Sequence, residues 1–219
     1  VEPYVQLNCD IDYDPFMFMK INNKAYGFTI TLIEYEETIP TLWDHTKQFM
    51  KLHPDYFASD NLVEFVIDNG DFETSNYNLC HFWSNFEIGD INFFRSKQYK
   101  DYFEYLDKTG GFFYERWGDA PVHSIAASLF LNKSQVYHFK DIGYVHDGMG
   151  HCPLGEKQFH ENGKCDCNVV DSVTLLEDFC MGDWWFASKE GKPSEREEYK
   201  ALIDELELED VWVEEGEGE

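Results

Sequence analysis

At 219 residues, with 43% hydrophobic and 17% aromatic content, the chain can bury a substantial core as one large domain or two small ones. Its 43 acidic and 17 basic residues give a net charge of −26, which repels nucleic acid and anionic membrane surfaces and excludes both as partners. No run of ~18 apolar residues offers a membrane span. The chain opens at Val1 with neither an initiator Met nor a signal-peptide pattern, so any targeting element is expected upstream.

In chain order, VEPYVQLNCD at 1–10 predicts a strand end and an irregular turn that exposes Glu2. Asp10, Asp12 and Asp14 alternate in CDIDYDP, but this run lacks the sharp-turn Gly and the terminal Glu of a calcium loop. Asp14-Pro15 reads as a helix start. The β-branched and aromatic run YGFTITLI, Tyr26 to Ile33, predicts one strand. Thr41 can cap a helix carrying Leu42, Phe49 and Met50 that stops before Pro54. Asp60 to Ile67 predicts a second short helix and Asp68 to Asn76 a polar loop.

That loop leads into NLCHFWSNFE, Asn78 to Glu87, which lacks the alternation of a plain strand. Leu79, Phe82, Trp83 and Phe86 suit a core with Glu87 at its rim. A carboxylate is costly to bury unless it is paired or used, so Glu87 is a candidate site residue. Beyond it, Tyr99, Tyr102, Phe103 and Leu106 follow helical spacing up to Gly110-Gly111. In FFYERWGDAPVHS, Asp119 is placed to N-cap a helix with Pro121 in its first turn, and Glu115, Asp119 and His123 gather near its N-terminal end. Gln135 to Phe139 predicts another strand. The Gly-rich turn DIGYVHDGMGHCP then sets His146 and His151 beside Asp147, a spacing compatible with a metal.

Six cysteines are compatible with disulfides in an oxidising compartment; a zinc site among Cys152, Cys165, Cys167 and Cys180 with His151 or His160 is the competing reading. Asn132-Lys133-Ser134 is a glycosylation sequon and leans the same way as disulfides. From residue 194 onward, twelve acids against two bases leave −10 in the tail and −16 in the rest. Residues 193–219 read as an acidic extension, with one apolar helix face through Tyr199, Leu202, Ile203 and Leu206 and a disordered EEGEGE end.

Four segments form a recognisable set: the Glu-Pro near the start, YNLCHFWSNFEI at Tyr77 to Ile88, FFYERWGDAPVHS at Phe112 to Ser124, and DIGY-x-H at Asp141 to His146. Together they resemble the fungal Golgi α-1,2-mannosyltransferases of glycosyltransferase family 15. The resemblance implies an α/β, GT-A-type mixed-sheet catalytic domain, of which residues 1–192 match the C-terminal part. It implies a Mn²⁺-dependent, retaining transfer of mannose from a GDP-mannose donor to a mannosylated glycan or glycoprotein acceptor in O- and N-glycan (mannan) synthesis. It also implies a Golgi luminal domain, held to the membrane only through an anchor upstream of this chain.

Residue by residue, Glu2 matches the acid of the family's Glu-Pro-x metal element, whose third position, Asp in many relatives, is Tyr4 here. His146 matches the metal-ligating histidine, and carboxylate with imidazole suits Mn²⁺. Glu87 matches the carboxylate proposed as nucleophile. Acceptor handling falls to Asp119 and Glu115, with Trp83 and Trp117 offering flat faces to sugar rings. The alternative is a catalytically inactive relative, acting as an acidic luminal interaction protein, which the change at Tyr4 would suit.

Overall fold

The computed structural model describes residues 3–176 and 179–189. In chain order its elements are β1 (Val5–Leu7), α1 (Pro15–Ile21), β2 (Tyr26–Phe28), β3 (Thr31–Ile33), α2 (Leu42–Leu52), β4 (Cys80–Phe82), β5 (Glu87–Gly89), α3 (Ile91–Phe94), α4 (Lys97–Thr109), α5 (Gly111–Tyr114), α6 (Asp119–Phe130), β6 (Val136–His138), β7 (Tyr144–His146), β8 (Met149–His151) and α7 (Met181–Ser188). The acidic extension from 193 onward, with its expected helix face and tail, lies outside the described residues, as does Glu2.

Local chemistry sets the helix ends. Asp14 accepts from the amides of Phe16 and Met17 at 2.9 and 3.0 Å, with Pro15 as the first helical residue of α1. Ser96 caps α4 through the Tyr99 amide, and Gly110, at φ +85°, ends that helix in the left-handed conformation open to glycine. The expected helix over Asp60 to Ile67 shrinks to one 3₁₀ turn, Val63–Phe65.

The strands form three small sheets, ordered β1-β7-β8, β5-β2-β6 and β3-β4. Strands β2 and β6 pair in parallel, and Gly150 of β8 makes an isolated parallel bridge to Ser172. The strand expected over Tyr26 to Ile33 is divided into β2 and β3, and the reason lies in the segment it pairs with. Phe28 faces Glu87 while Thr31 faces Phe82, so three steps along one side match five along the other. Two surplus residues must leave the ladder between β4 and β5, and segment 83–86 bulges out.

Beneath this bulge sits the aromatic core. Phe82 lies 4.3 Å from Phe28 and 4.6 Å from Phe65, and Trp184 of α7 packs edge-on to Phe28 at 4.9 Å. Helix α6 is buried along most of its length, from Ala120 to Leu129, and Ser124 on it accepts the Phe82 amide at 2.7 Å. All six cysteines are paired, as Cys9–Cys165, Cys80–Cys180 and Cys152–Cys167. The zinc reading is therefore set aside, since no thiolate remains to ligate it. Among the described residues one cluster of three ligand-type side chains occurs, Cys80, Cys180 and Asp183, and its two sulfurs are bonded to each other.

Candidate active site

Glu87 begins β5 where the bulge rejoins the sheet, and its side chain is 23% exposed. One oxygen, Oε2, accepts from the Tyr26 hydroxyl at 2.7 Å and meets Nδ1 of His123 at 3.0 Å. Among the described residues Oε1 takes no hydrogen bond. A carboxylate so held has one oxygen fixed and one free. Burial first, and then the charges of Glu87 and Asp119, push the Tyr26 and Tyr99 phenols above their ordinary value, so both remain O–H groups.

Three elements supply this arrangement. Tyr26, fully buried, comes from β2, and His123 from the second turn of α6, where its ring packs 5.0 Å from Phe94 and 6.0 Å from Tyr99. Phe94 in turn lies against Gly89, where a Cβ would come within 2.4 Å of its ring. Asp119 is exposed and is the first residue of α6; the N-cap position expected for it belongs to Gly118. Its Oδ1 accepts from the Ala120 amide at 3.0 Å, and a carboxylate in the first turn suits the helix dipole.

The structure separates Glu115 and Trp117 from this group. Glu115 Oε1 accepts from the Thr41 hydroxyl at 2.6 Å; Oε2 accepts from the Thr41 amide at 3.2 Å and from the Trp117 indole at 2.6 Å. Burial works to raise the Glu115 pKa, and the bonds from Thr41 and Trp117 outweigh it, so the carboxyl sits below its ordinary range. Trp117 is 5% exposed and packs on Phe112 and His45, which leaves no open ring face for a sugar. Glu115 and Trp117 thus form, with Thr41, a joint that fixes the start of α2.

On the other side of the bulge, the Trp83 ring lies 5.3 Å from that of His146 at the end of β7. Nδ1 of His146 is buried with no hydrogen-bond partner among the described residues, an unmet valence at the position expected to hold metal. Val5 pairs with His146 across β1 and β7, so the ladder brings the start of the chain to the His146 end. The bulge also buries both ends of the Asn85 amide without partners among the described residues.

The sequence reading missed Tyr26 and His123 as partners of Glu87. The available signal was the only phenol in the YGFTITLI run, and an Asp119–His123 spacing that sets both on one helix face.

The sequence model of glycosyltransferase family 15, described as glycolipid 2-alpha-mannosyltransferase, matches residues 1–189. The chain belongs to glycosyltransferase family 15. Among family 15 relatives, it is 50% identical over 200 residues to glycolipid 2-alpha-mannosyltransferase 2 of Candida albicans, covering 91% of this chain and 42% of that protein. It is also 50% identical over 194 residues to the alpha-1,2 mannosyltransferase KTR1 of Saccharomyces cerevisiae, covering 89% and 48%. The chain thus spans about half the length of the relatives it matches.

Its fold is that of core-mannan synthase A (CmsA/Ktr4) from Aspergillus fumigatus in a Mn/GDP form, with a TM-score of 0.75 at 43% identity over 86% of this chain and 51% of that one. Ktr4p of S. cerevisiae in complex with GDP gives 0.75 at 39%, covering 91% and 52%. The α/β, GT-A-type reading of the fold agrees with these structures.

Proposed function

We propose that this protein transfers mannose from GDP-mannose to an α-mannoside acceptor on protein O- and N-glycans, with retention of configuration. The observation that carries the reading is the Glu87 carboxylate, fixed through Oε2 by Tyr26 and His123 and open at Oε1. Support comes from relatives named as alpha-1,2-mannosyltransferases and from solved relatives bound to GDP, one of them with Mn. Retention leaves two routes. In one, Glu87 attacks the anomeric carbon as the GDP oxygen departs, and the acceptor hydroxyl then displaces the glycosyl ester. In the other, the carboxylate stands against the oxocarbenium ion while the acceptor enters on the leaving-group face.

Glu2 and His146 are the residues that would hold Mn²⁺, and the partnerless Nδ1 of His146 fits that use. When bound, the ion supplies positive charge against the diphosphate. Asp119, exposed at the helix start, and Trp83, half-buried beside His146, are acceptor contacts assigned in this reading. The proposed site of action is the Golgi lumen, and three disulfides with the sequon at Asn132 suit the oxidising compartment that this requires. The test is turnover of GDP-mannose and methyl α-mannoside by the full-length gene product with Mn²⁺. Near-wild-type turnover by Glu87→Ala sinks the role given to Glu87.

A second reading, a non-catalytic luminal relative, is favoured by Tyr4, 88% exposed at φ +63° in the third position of the Glu-Pro-x element. Calorimetry separates the two, since GDP binding to the full-length protein counts against this one.

A further inference from the structure

We propose that His123 is a positioning residue for Glu87: through Nδ1 it fixes the carboxylate's rotamer and leaves Oε1 as the oxygen that meets the sugar. The inference rests on the catalytic reading of Glu87 given above and adds a residue to it. His123 has the geometry for the task. Its Nδ1 lies 3.0 Å from Oε2, its side chain is 19% exposed, and Phe94 and Tyr99 flank its ring. Phe94 is itself packed, edge-on to Tyr99 at 5.1 Å and close against Gly89.

The contact also joins separate parts of the fold. Glu87 comes from β5 and His123 from α6, 36 residues apart, and Tyr26 reaches the same oxygen from β2. A carboxylate gripped by one partner still rotates about that bond. Two donors converging on one oxygen fix its plane, which is the preorganisation a reacting carboxylate needs. The titratable groups around the pair are Tyr26 on β2, Glu87 on β5, Tyr99 on α4 and Asp119 on α6.

The experiment compares His123→Leu, His123→Asn and Glu87→Gln in the full-length gene product, reading kcat and KM for GDP-mannose. Asn keeps an N–H near the place of Nδ1, and Leu removes it. His123→Leu is expected to lower kcat about 10- to 100-fold with KM changed less than about threefold, because the carboxylate loses one of the two partners that fix its plane. His123→Asn is expected to recover most of the kcat. If His123→Leu does not fold, His123→Ala, which also removes Nδ1, takes its place in the comparison with His123→Asn.

A fall in kcat accompanied by an equal change in KM, or with no recovery in His123→Asn, would overturn the proposal, since a purely structural role behaves that way. So would wild-type kcat in His123→Leu. Should Glu87→Gln itself keep wild-type turnover, the reading of Glu87 fails instead, and that failure is visible separately.

Discussion

The Tyr26 hydroxyl lies 2.7 Å from Oε2 of Glu87, although the register of β2 and β5 sets Gly89, not Glu87, opposite Tyr26. The phenol reaches diagonally across the pair, a distance that long aromatic side chains span in antiparallel sheets. Gly89, having no side chain, leaves its own side of the strand to the Phe94 ring.

Tyr26→Phe removes this hydroxyl and keeps the ring that packs 5.4 Å from Phe82. The core is expected to survive, with Tm within a few degrees of wild type. A hydrogen bond to a charged group contributes about 1.5–3 kcal/mol, so kcat is expected to fall about tenfold or more. Steady-state kinetics with GDP-mannose check this; an unchanged kcat would show that His123 alone holds Glu87.

Glu87 could be read from the sequence because a carboxylate ending an aromatic run needs a reason to be there. Its partners could not, since Tyr26 and His123 are 61 and 36 residues away and meet it only once the sheet and α6 are packed. The division of Tyr26 to Ile33 was equally hidden: every residue there favours a strand, and the break is imposed by two surplus residues in 83–86. Glu115 and Trp117 looked like sugar contacts because ERWGD offers an acid and an indole, but Thr41, which claims Glu115, lies 74 residues upstream. Disulfide pairing was out of reach, as six cysteines allow about fifteen connectivities.

Glu115→Leu tests the joint directly. The carboxylate accepts three bonds, and a side chain with no oxygens leaves the Thr41 amide and the Trp117 indole without their acceptor. The expected cost is about 1–3 kcal/mol of stability, with KM for methyl α-mannoside unchanged. Urea unfolding and acceptor kinetics read the two arms. A tenfold rise in acceptor KM at constant stability would return Glu115 to the acceptor site.

His151 makes the fold sensitive to acid. Burial drives its pKa from 6.5 down to about 4, against the opposing hydrogen bond to the Lys140 carbonyl, and Thr174 and that carbonyl occupy its two nitrogens. The unfolded imidazole takes up a proton below pH 6.5 and the folded one only near 4, so stability is complete above 6.5 and falls through that window. From pH 7.5 to 5 the loss is about 2 kcal/mol from this residue. His138, its ring 5.2 Å away and also held neutral by burial, adds to it in the same direction. Urea midpoints across that range should fall steeply in wild type and less so in His151→Gln, from a lower starting point.

The Cys80–Cys180 bridge ties β4 to the start of α7, whose Trp184 fills the core beside Phe28 and Phe82. It closes a separation of 100 residues, for which loop entropy gives about 4.7 kcal/mol as an upper guide. Replacing both cysteines by Ala is expected to cost about 2–5 kcal/mol and to shift Trp emission to the red as α7 loosens. Alkylation of the denatured, unreduced protein should label none of the six cysteines in the wild type; label at Cys80 or Cys180 would contradict the pairing.

Trp83 gives an optical probe of the metal site. Its ring is 5.3 Å from that of His146, so a paramagnetic ion held by His146 should quench its emission, whereas diamagnetic Mg²⁺ at the same site should not. Adding Mn²⁺ to the full-length protein is expected to remove part of the Trp emission, and EDTA to restore it. His146→Ala should abolish both the quench and Mn²⁺ binding, because imidazole is one of the few protein ligands the site would have. Trp83→Phe should abolish the quench and leave binding, measured by calorimetry, intact. Equal quenching in His146→Ala and wild type would place the ion elsewhere and remove His146 from the metal site.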